Sequence, residues 1–191
     1  MITTILLWVQ ALLIVALLLF ATRHVLYLFT WLFTDPPSVP TDKRTRRVMI
    51  HQIITYKPDA KIIYDLGSGY GQLAFAAAKR FPDAQVIGFE IFWLPYFMSR
   101  FKKKLYGYKN VSFKKANLFE EDLSDADVVL NFLFPKFQDK LQQKFKEELK
   151  DNALIISNQF ALPTWKAKKI KELPCLIGKR TIYTYKKHPT P

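Results

Sequence analysis

The run Lys61-Ile62-Ile63-Tyr64-Asp65-Leu66-Gly67-Ser68-Gly69-Tyr70-Gly71-Gln72 constrains this chain more than any other segment. An apolar stretch ends in an acid, and three glycines follow at alternate positions. This pattern describes a strand that turns sharply into a helix. Gly67 and Gly69 accept dihedrals, or a close backbone approach, that a Cβ would block. The N–H groups opening the next helix can then face the polar atoms of a nucleotide-like ligand. Asp65 is expected to add a fixed negative charge at the strand's carboxyl end. A dinucleotide site of the Rossmann type needs G-x-G-x-x-G, whereas the spacing here is G-x-G-x-G behind an acid.

A second apolar run, Gln85-Val86-Ile87-Gly88-Phe89-Glu90, also ends in an acid. Asp65 and Glu90 are therefore expected on neighbouring strand ends. Ligands of open α/β sheets bind outside the carboxyl ends of the strands, and an acid ending the second strand can accept both ribose hydroxyls. The intervening helix, 72–81, is rich in alanine and suited to close packing on a sheet. Loop and acids together resemble the S-adenosylmethionine (SAM) loop of class I methyltransferases.

With 191 residues, half of them hydrophobic, the chain can hold one domain with a real core. The first 34 residues are different material, since residues 5–21 carry no charge. At about 1.5 Å per residue, residues 2–22 are long enough to cross a hydrocarbon core of about 30 Å. A transmembrane or interfacial anchor over 1–34 is expected. Arg23 and His24 interrupt the run before a second apolar stretch, Val25 to Phe33. Either the span stops near Thr22 with Tyr27, Trp31 and Phe33 in the interface, or one long tilted helix continues while Arg23 snorkels. A cleaved signal peptide lacks support, because no Lys or Arg precedes the run and no small-x-small site follows it.

Asp35-Pro36-Pro37-Ser38-Val39-Pro40 reads as a stiff linker over 35–40 that marks the boundary to a domain spanning 41–191. Lys43, Arg44, Arg46 and Arg47 follow at once, and the positive-inside rule keeps them cytoplasmic, leaving the N-terminus outside. The expectation is a single-pass membrane protein of a bacterial inner membrane or its organelle equivalent, with a cytoplasmic domain. The one cysteine, Cys175, agrees with a reducing compartment. The net charge of +13 lies nearly all beyond the linker. It is most simply read as gripping anionic lipid headgroups, at about 1 kcal/mol per cation. Lys102-Lys103-Lys104, Lys114-Lys115 and the lysines of 166–171 read as solvated faces. No RNA-binding module or metal-ligand pattern accompanies them, so neither nucleic acid nor a metal is expected.

Further on, Thr41 is a candidate N-cap for a helix whose apolar face is Met49, Ile50, Ile53 and Ile54, ending before Pro58. Strands are expected over 61–66, 85–90, 111–116, 127–133 and 153–157, with helices over 94–105, closed by Gly107, and from Pro135 to Leu149. A last hairpin pairs 173–177 with 181–185 around Gly178-Lys179. The order implies an α/β fold: a Rossmann-like, mostly parallel seven-stranded sheet of the class I methyltransferase type, preceded by one transmembrane helix.

From Val39-Pro40-Thr41 to about residue 165, the chain resembles a family of small membrane-anchored class I methyltransferases. Eukaryotic members of that family methylate lysines of the adenine nucleotide translocase and the ATP synthase c subunit. The resemblance rests on Val-Pro-Thr, Asp-Leu-Gly-Ser-Gly-Tyr-Gly, Glu90, Asn117-Leu118-Phe119 and Phe160 to Trp165. It implies that Asp65, Gly67, Ser68, Gly69 and Gly71 hold the methionine part of SAM, Glu90 the ribose, and Asn117 with Leu118 the adenine edge. Two positions depart from the family. Asn117 replaces an acid, although its side-chain oxygen can still accept from the adenine amino group. Phe92-Trp93 replaces a small polar residue and proline, and these rings are read as packing in the core, with stacking on adenine as the alternative.

SAM carries a reactive sulfonium, so the protein must mainly align a nucleophile and exclude water. A lysine amine must also lose its proton, which desolvation favours. Candidates near the reacting centre are Asn131 and Tyr70, with Phe132 and Phe134 beside them. The function expected is N-methylation of lysine in a membrane protein. The alternatives are methylation of a lipid or isoprenoid-type molecule, and a non-catalytic SAM-binding scaffold. The oligomeric state is left open.

Overall fold

The computed structural model describes residues 2–33, 41–175 and 178–187. Of the first helix, positions 2, 3, 5 and 27–33 are described by their backbone alone. The expected interfacial rings Tyr27, Trp31 and Phe33, the linker 35–40 and the hairpin residues Leu176 and Ile177 therefore lie outside the described side chains or residues.

The sheet is organised by strands that bury both faces. In β1 (Ile62–Leu66), Ile63 enters one core while Tyr64 and Leu66 enter the other. A strand covered on both sides reads as a near-continuous apolar run, broken here only near its carboxyl end. The same holds for β4 (Val128–Asn131), where every residue is buried. With β2 (Gln85–Glu90), β3 (Val111–Lys115), β5 (Leu154–Asn158), β6 (Lys169–Pro174) and β7 (Lys179–Lys186), they form one seven-stranded sheet in the order β3-β2-β1-β4-β5-β7-β6. β1 to β5 run parallel, and β7 runs antiparallel to both β5 and β6. The strand order reverses between β1 and β4, which opens a crevice at their carboxyl ends. This is the class I methyltransferase arrangement.

Helices α2 (Lys43–Tyr56), α3 (Gln72–Arg80) and α4 (Trp93–Tyr106) lie on one face, and α5 (Gln138–Glu148) lies on the other. Met49, Ile50 and Ile53 of α2 and Ala74, Ala77 and Ala78 of α3 fill the first core; Leu141 and Phe145 of α5 fill the second. The cap of α2 is Asp42 rather than Thr41. Its Oδ1 accepts the N–H groups of Arg44 and Thr45, a bond that Thr41 stands one residue too early to make. Gly107 closes α4 in the left-handed conformation.

Several boundaries differ from expectation, among them β7, which starts at Lys179 instead of 181; three of the differences have a clear local reason. β4 stops at Asn131, not 133, because the side chains of Asn131 and Gln138 take the N–H and C=O of Leu133 out of the ladder. After Pro135 the chain makes a 3₁₀ turn, Pro135–Phe137, before α5 begins. β6 starts at Lys169 instead of 173. It is an edge strand whose Lys169, Ile170, Lys171 and Glu172 are all exposed, so it carries no apolar signature.

The N-terminal helix α1 (Ile2–Phe33) forms a compact unit separate from the domain beyond the linker. It runs unbroken through Arg23 and His24. Thr22 Oγ1 donates to Leu18 O at 2.8 Å, and His24 Nδ1 lies 2.8 Å from Phe20 O. Residues Leu6–Leu26, with a mean hydropathy of 2.1, are apolar and long enough to cross a bilayer.

Candidate active site

The loop after β1 has its glycines at φ of 72° (Gly67), 53° (Gly69) and 76° (Gly71). Two of these positions leave no room for a Cβ unless a neighbouring side chain shifts. A Cβ on Gly67 would lie 2.8 Å from Leu133 Cδ2, and one on Gly71, which caps α3, would lie 2.6 Å from Phe113 Cζ. The loop is thus pressed against the end of β4 on one side and against β3 on the other.

Asp65 and Glu90 project from the same sheet face as α3, since Asp65 is in register with Gly88, two residues before Glu90. Both are almost fully buried. Asp65 Oδ2 accepts the Ala74 N–H of α3 at 3.1 Å. Burial pushes the Asp65 carboxyl up to about 7; the neighbouring Glu90 charge adds to the rise, and the Ala74 hydrogen bond opposes it. The fixed negative charge expected from sequence is therefore corrected: near neutral pH this acid is poised between its two forms. A carboxylate with one backbone donor cannot replace the water it loses on burial.

Glu90 Oε2 accepts the Gly69 N–H at 2.7 Å, and Oε1 accepts the Phe92 N–H at 2.9 Å. One side chain on β2 thereby fixes the tip of the glycine loop. Ser68 sits over Gly88, and its buried Oγ finds no hydrogen-bond partner among the described residues. Ala116 N–H donates to Glu90 O, which places the turn of Asn117 and Leu118 directly beyond the acid. Asn117 Oδ1 accepts the Phe119 N–H at 3.2 Å, while its Nδ2 donates to Glu120 Oε1 at 2.7 Å. Leu118 packs against the core that holds Phe89. Tyr70 is half-buried, with Lys102 Nζ 5.3 Å from its ring centre.

Two carboxyl groups on one face, an unpartnered hydroxyl and a loop stripped of side chains fit a ligand that is cationic at one end and carries sugar hydroxyls at the other. SAM has that chemistry.

Around the ends of β4 and β5, Asn131 is fully buried. Its Oδ1 accepts the Leu133 N–H, and its Nδ2 lies within reach of Gln138 Oε1 and Ser157 Oγ. Both ends of the amide are thus engaged within the protein, and Oδ1 keeps a second lone pair. Phe132, Phe134 and Phe160 are half-buried; the ring of Phe160 lies 6.4 Å from Phe132 and 6.3 Å from Phe134. Arg180 covers the Phe132 ring at 5.4 Å. Asn158 closes β5 with both its Oδ1 and Nδ2 buried and unpartnered among the described residues. Gln159 follows at φ 74°, held by Gln159 N–H to Thr181 O at 2.6 Å. Sequence reasoning missed Asn158, although the signal was the one that found Asp65 and Glu90: a polar residue ending an apolar strand.

Trp93 does not pack in the core, contrary to expectation. It is 60% exposed, stacked on Phe97 at 5.3 Å and covered by Lys115 Nζ at 4.2 Å. An alternating loop-and-helix sequence cannot reveal that α4 turns this side outward.

Comparison with known proteins agrees with this geometry. A solved RNA methyltransferase from Salinibacter ruber, in complex with S-adenosyl-L-homocysteine, superposes with a TM-score of 0.72 at 28% identity, covering 80% of this chain and 97% of that one. Fold and site thus define a class I, SAM-dependent methyltransferase. The protein belongs to the family described as the ANTKMT methyltransferase domain, whose family model matches residues 65–169. A protein-lysine N-methyltransferase of Saccharolobus islandicus is 30% identical over 155 residues, 78% of this chain and 92% of that protein. A Xenopus laevis lysine N-methyltransferase of the ATP synthase c subunit is 33% identical over 106 residues, 54% of this chain and 46% of its own length. The match thus spans about half of that longer relative.

Proposed function

We propose that this methyltransferase transfers the methyl group of SAM to lysine side chains of a membrane protein while anchored to the bilayer by α1. The observation that carries the reading is the Gly67–Leu133 contact, which seats the β4 end, with Phe132 and Phe134, directly against the glycine loop. An amine entering between these rings and Phe160 would meet aromatic faces, and the strand that precedes Phe160 ends in the unpartnered amide of Asn158. Aromatic faces attract the ammonium form, and loss of water lowers its pKa toward the neutral nucleophile. The Asn158 oxygen is an acceptor suited to orienting the amine's lone pair toward the methyl group. Relatives that act on protein lysine support this acceptor class.

Bound SAM supplies an electrophilic methyl group on a sulfonium centre. Within this chain, Asp65 and the loop from Gly67 to Gly71 are assigned to the methionine portion and Glu90 to the ribose, through the lone pairs that Gly69 and Phe92 leave free. Asn117 and Leu118 are assigned to the adenine edge. Tyr70 and Asn131 are assigned to shaping the centre, Asn131 by holding Leu133 in place.

The apolar length of α1 supports the anchor, and Lys43, Arg44, Arg46 and Arg47 support a cytoplasmic domain with the N-terminus outside. The test incubates the full-length protein with methyl-labelled SAM and membranes from cells lacking it, and then fractionates the label. Acid-stable label in a discrete protein band is expected. Label in organic solvent would move the acceptor to a lipid or isoprenoid, and label in RNA would remove the lysine assignment altogether.

A further inference from the structure

Helix α4 is built inside out. The side it presents to β2 and β3 carries Pro95 and Ser99, both buried, with Tyr96 half-buried beside them. At about 100° per residue, Trp93, Leu94, Phe97, Met98, Phe101 and Leu105 fall within one arc of roughly 140° on the opposite side. All six are exposed, Trp93 by 60%, Leu94 by 65% and Phe101 by 62%. Beyond α1, the exposed large apolar side chains among the described residues are these six, their helix-end neighbours Ile91 and Tyr106, and Ile170. A contiguous apolar face of this kind on a folded domain marks an interaction surface.

Charge identifies its occupant. Residues 91–119 contain seven cations, Arg100, Lys102, Lys103, Lys104, Lys109, Lys114 and Lys115, and no acid. Arg100 borders the apolar arc on one side and Lys102 on the other, while Lys104 falls just inside its Trp93 edge. A helix that combines a Trp- and Phe-rich face with flanking Lys and Arg lies in the headgroup layer of an anionic bilayer. A protein surface or a second copy of this chain would bring the same cations against one another or against mixed charge.

We infer that α4 is a second membrane contact, which lays the catalytic domain on an anionic lipid surface with its aromatic face in the headgroup region. α4 begins three residues after Glu90, so this docking turns the cofactor-side ends of β2 and β3 toward the bilayer, where a lysine near the membrane surface is within reach. The surface itself rests on the exposure and charge of α4; the proposed anchoring by α1 raises its local concentration at the membrane.

The test uses the full-length chain with Cys175→Ser, carrying a single NBD-labelled cysteine, reconstituted in bilayers of phosphatidylglycerol and phosphatidylethanolamine that contain doxyl-labelled lipid. Phe101→Cys is expected to be quenched about threefold or more above Lys146→Cys, on the exposed side of α5. Equal quenching at 101 and 146 overturns the docking. Val15→Cys, in α1, separates the two membrane readings: quenching at 15 but not at 101 removes the docking and leaves the anchor, whereas none at either site removes both. Unchanged quenching at 101 in phosphatidylcholine overturns the anionic selectivity. A concentration-dependent blue shift at 101 without lipid quenching assigns the face to a second copy and overturns the proposal.

Discussion

Glu90 Oε2 accepts the backbone N–H of Gly69 at 2.7 Å, so the acid that ends one strand holds the loop that follows its neighbour. Glu90→Ala should therefore do two things at once. Loss of a charged hydrogen bond to the ribose should cost about 1.5–3 kcal/mol of SAM affinity, roughly 10- to 100-fold, read by calorimetric titration. Release of the loop should also lower the melting temperature of the ligand-free protein. An affinity loss with an unchanged melting temperature would mean that the Gly69 bond contributes nothing to the fold.

Asp65 gives a pH signature. Its unfolded value lies near 3.9, and burial raises the folded value to about 7. Between about pH 4 and pH 7 the folded state holds the extra proton, so this group's contribution to stability falls as pH rises through that window. Asp65→Asn should flatten that dependence and stabilise the ligand-free domain at pH 8. A cationic ligand beside Asp65 favours the carboxylate. SAM affinity should accordingly rise from pH 5.5 to 8 with release of up to one proton, measured by titration in buffers of different ionisation enthalpy. A pH-independent affinity would place the sulfonium and ammonium away from Asp65.

Gly67 and Gly107 separate backbone strain from contact. Both sit in the left-handed region, at φ of 72° and 68°, but a Cβ on Gly67 meets Leu133 at 2.8 Å while one on Gly107 meets nothing within 4 Å. Gly107→Ala should cost the backbone term alone, about 1 kcal/mol. Gly67→Ala should cost that and more, and should also slow methyl transfer by displacing the segment between Phe132 and Phe134. Equal melting temperatures for the two variants would show that Leu133 yields without cost.

Asn158 tests the acceptor side. Its amide is buried and unpartnered, so Asn158→Leu removes an unsatisfied group of similar size and should leave the domain equally or more stable. SAM affinity should stay unchanged while single-turnover methyl transfer falls at least tenfold, consistent with a group that meets the amine. Unchanged turnover would confine Asn158 to the structure of the β5 end.

The strands that bury both faces were the most legible part of the chain, because continuous apolar runs ending in polar residues describe them directly. The glycine loop and its two acids were legible for the same reason. The edge strand β6 was displaced in the sequence reading because its exposed Lys169, Lys171 and Glu172 carry no periodic apolar mark. The end of β4 was extended too far because Leu133 is apolar like its neighbours, and only the side chains of Asn131 and Gln138 decide where the ladder stops. The outward face of α4 was illegible, since its apolar spacing is that of a helix packed on a sheet. Which side faces the sheet depends on β2 and β3. The shifted ionisation of Asp65 depends on burial that no local pattern encodes.

The most direct test of the central claim is calorimetric titration of SAM into the full-length wild-type protein and into Gly69→Val, with circular dichroism to confirm that both are folded. Valine is β-branched and disfavours the φ of 53° found at this position. One binding site is predicted in the wild type and none detectable in the variant. Equal affinity in two folded proteins would contradict the assignment, and would move the cofactor away from the loop between β1 and α3.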